Sequence, residues 1–170
     1  MAVPTQVTSV RPAQTADRSW IEAYLGDAGD LVVARRGELV KPTDHPMLIA
    51  ETDGQPAGLA TFIVDGDACE ILTLHAMVPW RGIGTVLVAG VRDIARKAGC
   101  RTVWVLTTND NVDALRFYQR RGFRLAALRP GAVDDARRSL KPSIPEVGDH
   151  EIPLRDEIEL TMDLEPAGSQ

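Results

Sequence analysis

The sequence predicts a mixed α/β fold in which helices cover both faces of a largely antiparallel sheet. Its 170 residues suit a single domain over residues 1–170. In the middle of the chain, short turns join three apolar runs, which is typical of antiparallel strands. Beyond residue 78, strand and helix periods alternate, which indicates strands connected by crossover helices.

The first third of the chain contains one predicted strand and one predicted helix. Residues 5–11 alternate weakly and are predicted to form the strand. Residues 16–25 place four apolar side chains on one helical face, and Gly26 is predicted to end that helix. Residues 27–45 follow no single period, although residues 31–34 could begin a second helix.

Three strands are predicted in close succession, over residues 47–51, 57–64 and 68–78. The segment Asp65-Gly66-Asp67 separates the last two of them. An Asp-Gly pair flanked by apolar runs is a strong hairpin signal. The middle of the chain is therefore predicted to form an antiparallel meander.

The second half begins with a helical period. Its apolar residues recur at spacings of four or three positions, namely Ile83, Leu87, Val91, Ile94 and Ala98. Residues 101–106 are almost continuously apolar, as in a strand covered on both faces. The other predictions are a helix over 111–121, a strand over 123–128, a short helix over 132–140, a loop over 141–153 and a last strand over 156–164. Residues 1–5 and 166–170 are predicted to be disordered.

Composition argues against several classes of function. A formal net charge of −5 does not suit a protein that binds nucleic-acid backbones. No stretch reaches the roughly 18 apolar residues that cross a membrane, and the first residues lack the pattern of a signal peptide. Cys69 and Cys100 lack metal-ligand spacing, so we expect reduced core cysteines, a cytoplasmic protein and no metal.

The segment 79–85, Pro-Trp-Arg-Gly-Ile-Gly-Thr, lies between a predicted strand and a predicted helix. Its glycines leave room for a ligand beside the backbone amides of residues 81–85, which include the unpaired donors of a helix N-terminus. The helix dipole adds partial positive charge and Arg81 could add a full one, so an anion such as a diphosphate could bind. The alternative is that Gly82 and Gly84 only permit a tight turn.

A second motif opens the following helix, with Asn111, Ala114 and Tyr118 on one helical face. Gly122 and Phe123 then lead into the next strand. Asn111 can also cap the helix. Taken alone, Tyr118 fits a core tyrosine with a hydrated hydroxyl better than a functional one.

The two motifs, in this order and separated by one helix and one strand, resemble those of the GNAT family of acetyl-CoA-dependent N-acetyltransferases. The resemblance covers residues 69–129, and the segment 138–145 is similar to the tail of a bacterial GNAT subgroup. It implies a GNAT-like sheet that splays between strands 68–78 and 101–106, with acetyl-CoA in the gap.

The resemblance also implies which residues contact acetyl-CoA. On the turn they are Arg81, Gly82, Ile83, Gly84 and Thr85. On the preceding strand they are the backbone groups of Ala76, Met77 and Val78. Around the next helix they are Asn109, Asn111, Ala114, Phe117 and Tyr118.

Acetyl transfer to an amine requires a neutral amine, a stabilised thioester oxygen and a proton for the departing thiolate. Tyr118 is the candidate acid, because the pKa of a tyrosine (about 10) exceeds that of a thiol (about 8.5). Glu70, which interrupts an apolar strand, is the candidate base, and His75 is the alternative. Alternation along an unbroken strand predicts that Glu70 and His75 lie on opposite faces. Free amides near residues 76–78 could bind the thioester oxygen.

The partners that the resemblance implies are acetyl-CoA and a primary amine, carried by a small molecule or a protein. We expect no nucleic acid and no membrane as partners, and a homodimer is compatible with the family. Two other interpretations stay open: an acyl-CoA-binding sensor without catalysis, and a nucleotide- or dinucleotide-binding α/β domain.

Overall fold

The computed structural model describes residues 9–78 and 82–166. Within these ranges it contains nine strands and four α-helices. The strands are β1 (Ser9–Pro12), β2 (Val33–Arg35), β3 (Glu38–Val40), β4 (Met47–Thr52), β5 (Gln55–Asp65), β6 (Ala68–Ala76), β7 (Thr102–Thr108), β8 (Arg124–Arg129) and β9 (Glu157–Asp163). The helices are α1 (Arg18–Ala28), α2 (Ile83–Lys97), α3 (Val112–Gln119) and α4 (Ala132–Ser139).

Seven of the described strands belong to one sheet with the order β1-β4-β5-β6-β7-β9-β8. The pairs β1–β4, β4–β5, β5–β6 and β8–β9 are antiparallel. The predicted mixed α/β fold with a mostly antiparallel sheet is therefore confirmed, including the central meander. The predicted disordered ends lie outside the described residues, apart from Pro166. No helix of the described ranges is long and apolar enough to cross a membrane.

The chain forms two compact units. The described part of the first unit comprises residues 9–31, 42–78, 82–103 and 164–166, and the second unit comprises residues 32–41 and 104–163. The expectation of one domain over residues 1–170 stays a prediction.

In the first unit, α1 and α2 cover opposite faces of the meander. The apolar side of α1 packs against β4 and β5 in one buried cluster, formed by Ile21, Leu25, Met47, Ile49 and Leu59. The first turns of α2 lie instead against Gly58. Because neighbouring residues of a strand face opposite sides, Leu59 and Gly58 direct the two helices to different faces.

A β-bulge in β6 overturns one expectation about side-chain direction. Thr73 pairs with Thr61 while Ile71 pairs with Phe62, so Leu72 is an extra residue on β6. The extra residue reverses the alternation beyond it. Glu70 (paired with Ile63) and His75 (paired with Leu59) consequently lie on the same face of β6, and the prediction of opposite faces was wrong.

Two expectations about residues 26–34 were also wrong. Helix α1 continues through Gly26 to Ala28, and the amide of Asp30 donates to the carbonyl of Leu25 beyond it. Residues 31–34 do not begin a helix, since β2 and β3 form an antiparallel hairpin of the second unit. Its β-branched residues and the Arg36-Gly37 turn favour this local pairing.

In the second unit, β9 lies between β7 and β8. Helix α3 follows β7, and α4 follows β8. The loop after α4 returns to the hairpin, where Lys141 Nζ donates to the carbonyl of Val32 at 2.7 Å.

Candidate active site

The N-terminus of α2 has the geometry that the segment 79–85 predicts, as far as it is described. Gly82 precedes the helix with φ +75°, a left-handed conformation that favours glycine. The amide of Val86 donates to the carbonyl of Gly82 at 3.1 Å, which starts the helical ladder. The amides of Ile83 and Gly84 precede that ladder, and such amides can bind an anion. The predicted contact Arg81 lies outside the described residues.

Gly58 of β5 fixes how closely this helix approaches the sheet. A Cβ atom on Gly58 would lie 2.5 Å from the carbonyl oxygen of His75 and 2.5 Å from Cγ2 of Ile83. Any side chain at this position would therefore push the first turn of α2 outward. The glycine allows the buried Ile83 to anchor that turn against β5 and β6.

The face of β6 that carries Glu70 and His75 is lined with polar groups. Glu70 is buried, with 3% of its surface exposed. Thr73 lies between the two candidates, and its buried hydroxyl donates to the hydroxyl of Thr61 at 3.0 Å. This arrangement places both candidate bases on one side of the strand, which sequence alternation did not predict.

His75 is held at two points near the end of β6. Its Nε2 lies 3.2 Å from Oδ2 of Asp30, although the geometry makes no hydrogen bond. The edge of its ring meets the ring of Tyr24, with 5.5 Å between the centroids. The imidazole thus lies between a carboxylate and an aromatic ring.

The backbone amides of Ala76 and Met77, at the end of β6, point in opposite directions. The amide of Met77 donates to the carbonyl of Ala57 at 2.8 Å, so it is not a free donor for a ligand. Successive amides of a strand point to opposite sides, so the amide of Ala76 points away from β5. The contacts of Ala76 and Val78 with acetyl-CoA stay predictions.

Helix α3 begins as predicted, with Asn111 as its cap. The side-chain oxygen of Asn111 accepts a hydrogen bond from the amide of Ala114 at 3.0 Å. An asparagine cap satisfies one of the unpaired donors of the helix. Its oxygen thus already has a structural role, and its contact with acetyl-CoA stays a prediction.

Tyr118 lies in the interior of the second unit, with 5% of its surface exposed. The rings of Phe117 and Phe123 meet it edge to face, at centroid distances of 5.1 and 5.2 Å. Burial raises the pKa of the Tyr118 hydroxyl above its ordinary value, and the charge of Arg121 offsets this only in part. The hydroxyl therefore keeps its proton at neutral pH, and burial makes that proton harder to release.

Asn109, a predicted contact of acetyl-CoA, has every side-chain polar atom engaged by the loop before β9. Its Nδ2 donates to the carbonyl of Pro153 at 2.8 Å, and its Oδ1 accepts from the amides of Arg155 and Asp156 at 2.9 Å each. The backbone amide of Asn109 also donates to Asp156. The side chain thus ties the end of β7 to the loop, and its cofactor role stays a prediction.

Sequence reasoning missed Asp110, which is buried beside this loop. Its Oδ2 accepts from the amide of Asp149 at 2.9 Å, and its Oδ1 accepts from the hydroxyl of Thr108. A Cβ atom on Gly148 would lie 1.9 Å from Oδ2 of Asp110, so this approach requires glycine. Its position directly before the helix cap Asn111 was the one feature of the sequence that could have drawn attention to Asp110.

Among residues 9–78 and 82–166, no three His, Cys, Asp or Glu side chains are grouped as a metal site would need. Cys69 and Cys100 are both buried and free. Burial raises the pKa of the Cys69 thiol to about 12, which makes it a poor nucleophile.

Comparison with known proteins agrees with these motifs. Residues 12–123 match the model of the acetyltransferase (GNAT) family. The protein YdhI of Bacillus subtilis is 49% identical over 105 residues, which are 62% of this chain and 65% of YdhI. The matched segment is thus just under two thirds of that relative. A streptothricin acetyltransferase of Streptomyces lavendulae is 35% identical over 69 residues, 38% of this chain and 36% of that enzyme.

Solved structures show the same fold. A GNAT family acetyltransferase from Elizabethkingia anophelis, crystallised with acetyl-CoA bound, superposes with a TM-score of 0.66 at 20% identity. The superposition covers 92% of this chain and 97% of that one. The family model spans more than half of the sequence and both motifs, and the chain therefore belongs to the GNAT family of acetyltransferases.

Proposed function

We propose that this protein is an N-acetyltransferase that moves the acetyl group of acetyl-CoA directly to a primary amine in a ternary complex. One observation carries the proposal: the family match over residues 12–123 includes both the turn that opens α2 and the helix that bears Tyr118. The acetyl-CoA in the Elizabethkingia structure supports the choice of donor. A cytoplasmic location belongs to the same proposal, since both cysteines are free.

The residues of the first unit have two roles toward the donor. The amides of Ile83 and Gly84, ahead of the helical ladder, hold the diphosphate of acetyl-CoA with the help of the helix dipole. The amide of Ala76, which points away from β5, donates to the thioester oxygen as negative charge develops there. Gly82 and Gly58 give α2 the position that both roles need.

A base on β6 removes a proton from the amine. An alkylamine has a pKa of about 10.4, so it arrives mostly as the ammonium ion at neutral pH. Glu70 is buried on the strand, and His75 on the same face lies close to Asp30 and Tyr24. We assign the base role to Glu70, with His75 as the group that passes the proton to solvent.

Tyr118 completes the transfer. The amine nitrogen bonds to the thioester carbon, the carbon–sulfur bond breaks, and the thiolate takes the Tyr118 proton. The hydroxyl is protonated at neutral pH, and the charge of Arg121 partly offsets the cost that burial places on the tyrosinate. The solvent then returns a proton to the tyrosinate.

The acceptor is a primary amine of a small molecule or a protein. The similarity to a streptothricin acetyltransferase, which covers 38% of this chain, favours a small molecule over a protein lysine. The proposal includes a homodimer, and analytical ultracentrifugation measures the oligomeric state.

Two measurements test the proposal. Acetyl-CoA, butyryl-CoA, NADH and ATP are compared for their effect on the melting temperature, since a ligand stabilises the state that binds it. Thiol release and acetylated product are then measured over a panel of amines. We expect stabilisation by acetyl-CoA and acetylation of at least one amine. Stabilisation without turnover would instead support a sensor, and stabilisation by NADH or ATP alone would overturn the proposal.

A further inference from the structure

The turn of the β2–β3 hairpin carries an arginine where its backbone favours another residue. Arg35 pairs with Glu38, so Arg36 and Gly37 are the two turn residues. Their φ angles are +48° and +79°. Turns with two positive φ angles favour Asn-Gly, because most side chains are strained in this conformation. The strain at Arg36 indicates that its side chain has a role that offsets it.

The guanidinium of Arg36 lies between an aromatic ring and a carboxylate. Its Cζ is 3.8 Å from the ring centroid of Trp104. Its Nη2 donates to Oε2 of Glu159 at 2.7 Å, and the backbone amide of Arg36 lies 3.3 Å from Oε2 of Glu157. A ring face together with a carboxylate is a favourable environment for an organic cation.

The charges around this position balance only while Arg36 is in place. Arg129 donates to the same oxygen of Glu159 at 2.6 Å and lies 3.4 Å from Glu157. Two arginines thus face two glutamates. Burial alone would raise the pKa of Glu159, but its hydrogen bonds with Arg129 and Arg36 bring it below the ordinary value. Withdrawal of the Arg36 side chain would leave one uncompensated negative charge beside an aromatic face.

A cavity of about 520 Å³ adjoins this position, lined by Arg36, Gly37, Arg129, Ala136, Leu140 and Glu157. Its volume falls in the range of small-molecule sites. All of these residues belong to the second unit. Of the two carboxylates, Glu157 lines the cavity directly, and Glu159 adjoins it through its hydrogen bonds with Arg36 and Arg129, which both line it.

We propose that Trp104 and Glu159 form a binding site for an organic cation, a guanidinium or primary ammonium group, and that Arg36 occupies this site as a built-in competitor. The ligand displaces the Arg36 guanidinium and takes over its contacts with the ring and the carboxylate. Binding at this site goes beyond the acetyl transfer proposed above. Only its connection to the acceptor, which would be an amine with a second positive charge, rests on that proposed function.

The decisive variant is Arg36→Asn. Asparagine suits the turn better than arginine, so the hairpin is expected to keep its fold while the cation site opens. The matched control is Arg18→Asn, which removes an equal charge from an exposed ion pair with Glu22 on α1. In a third variant, Trp104→Leu is added to Arg36→Asn and removes the ring face.

Butylguanidinium and butylammonium are titrated into each protein at constant ionic strength without acetyl-CoA, and binding is followed by calorimetry. We expect Arg36→Asn to bind at least tenfold more tightly than the unchanged protein while it still unfolds in one cooperative transition. Arg18→Asn is expected to bind the cations like the unchanged protein. The double variant, Arg36→Asn with Trp104→Leu, is expected to lose the affinity gained by Arg36→Asn. The proposal fails if Arg36→Asn melts normally but gains no affinity.

A second arm identifies the source of the cation. Initial rates are measured with a diamine and with a monoamine of equal chain length. A lower KM for the diamine alone in Arg36→Asn assigns the site to the acceptor, whereas cation binding without a change in KM assigns it to an effector. If no amine is acetylated, the proposed function fails while the binding comparison still tests this site.

Discussion

Glu70 and His75 lie on the same face of β6 although five positions separate them, because Leu72 forms a bulge between them. In an unbroken strand, residues five apart face opposite sides. The bulge therefore places a buried carboxylate and an imidazole on one side of the sheet, as the proposed proton path requires. Bulges are frequent next to active sites, where they redirect a side chain.

The first prediction concerns this pair. Glu70→Gln is expected to lower kcat by about 100-fold or more, within the range of general-base catalysis, with little change in the KM for acetyl-CoA. His75→Gln is expected to lower kcat by about tenfold or less. If both act on one path, the double variant should be no slower than Glu70→Gln. A larger loss in His75→Gln than in Glu70→Gln would reverse the assigned roles.

The second prediction concerns the Tyr118 hydroxyl. Tyr118→Phe keeps the edge-to-face contacts with Phe117 and Phe123 and removes only the proton donor. We expect kcat to fall by about 100-fold while the dissociation constant for acetyl-CoA changes less than threefold. Equal turnover in the two proteins would remove Tyr118 from the mechanism.

The same residue predicts a stability change in alkali. Burial raises the pKa of Tyr118 in the folded protein above the ordinary value of 10.0. Its contribution to stability is therefore complete below pH 10 and is lost as the pH rises above it, since only the unfolded chain ionises readily there. Between pH 10 and 11, the urea midpoint of the unchanged protein should fall more steeply than that of Tyr118→Phe.

The third prediction concerns Gly58 beneath α2. Gly58→Ala places a methyl group against the carbonyl of His75 and against Ile83, so we expect a loss of about 1–3 kcal/mol in the free energy of unfolding. Because the first turn of α2 must shift, the affinity for acetyl-CoA should fall as well. The measurements are urea unfolding and calorimetric titration of acetyl-CoA.

Gly26→Ala is the matched control for that variant. Gly26 lies inside α1, and its added Cβ would be 3.5 Å from Cδ1 of Leu31, an ordinary contact. Alanine is a better helix former than glycine, so the free energy of unfolding of this variant should rise by about 0.5–1 kcal/mol. Equal stability of the two variants would contradict the close approach at Gly58.

The fourth prediction concerns acid stability. Asp17 accepts two hydrogen bonds from Arg11, at 2.8 and 2.9 Å, and one from the amide of Gln14 at 2.7 Å. The bonds from Arg11, and then that from Gln14, lower the pKa of Asp17 from 3.8 to about 2. This contribution to stability is present above pH 3.8 and is lost as the pH falls towards 2.

Asp17→Asn is accordingly expected to be less stable than the unchanged protein at pH 6, and the difference should shrink between pH 4 and 2. Urea midpoints over this range measure it. Asp163→Asn is the control, because Asp163 pairs with Arg124 on an exposed surface, where ion pairs contribute little. A constant difference for Asp17→Asn across the range would contradict the assigned role.

Most of the fold could be predicted because its elements have clear periods. The spacing of Ile83, Leu87 and Val91 is that of one helix face, and all three are buried in α2. A turn at Gly66 and Asp67, within the predicted segment 65–67, joins β5 and β6. The two motifs also located the N-terminus of α2 and the cap of α3.

The remaining features depend on contacts that no local period encodes. Nothing in the residue types around Leu72 signals a bulge, since the register of β6 is decided by its pairing with β5. The β2–β3 hairpin is short, and its β-branched residues could be read as either a strand or a helix. The engagement of Asn109 by residues 153–156 joins segments more than forty positions apart, beyond the reach of sequence patterns.

The hydrogen bonds between Asn109 and the loop before β9 have a consequence for protein engineering. A chimera that exchanges residues 141–163 for those of a relative would bring in a loop whose backbone no longer fits Asn109 and Asp110. Such exchanges should succeed only when positions 108–110 are exchanged together with the tail, because hydrogen bonds join these two stretches into one structural unit.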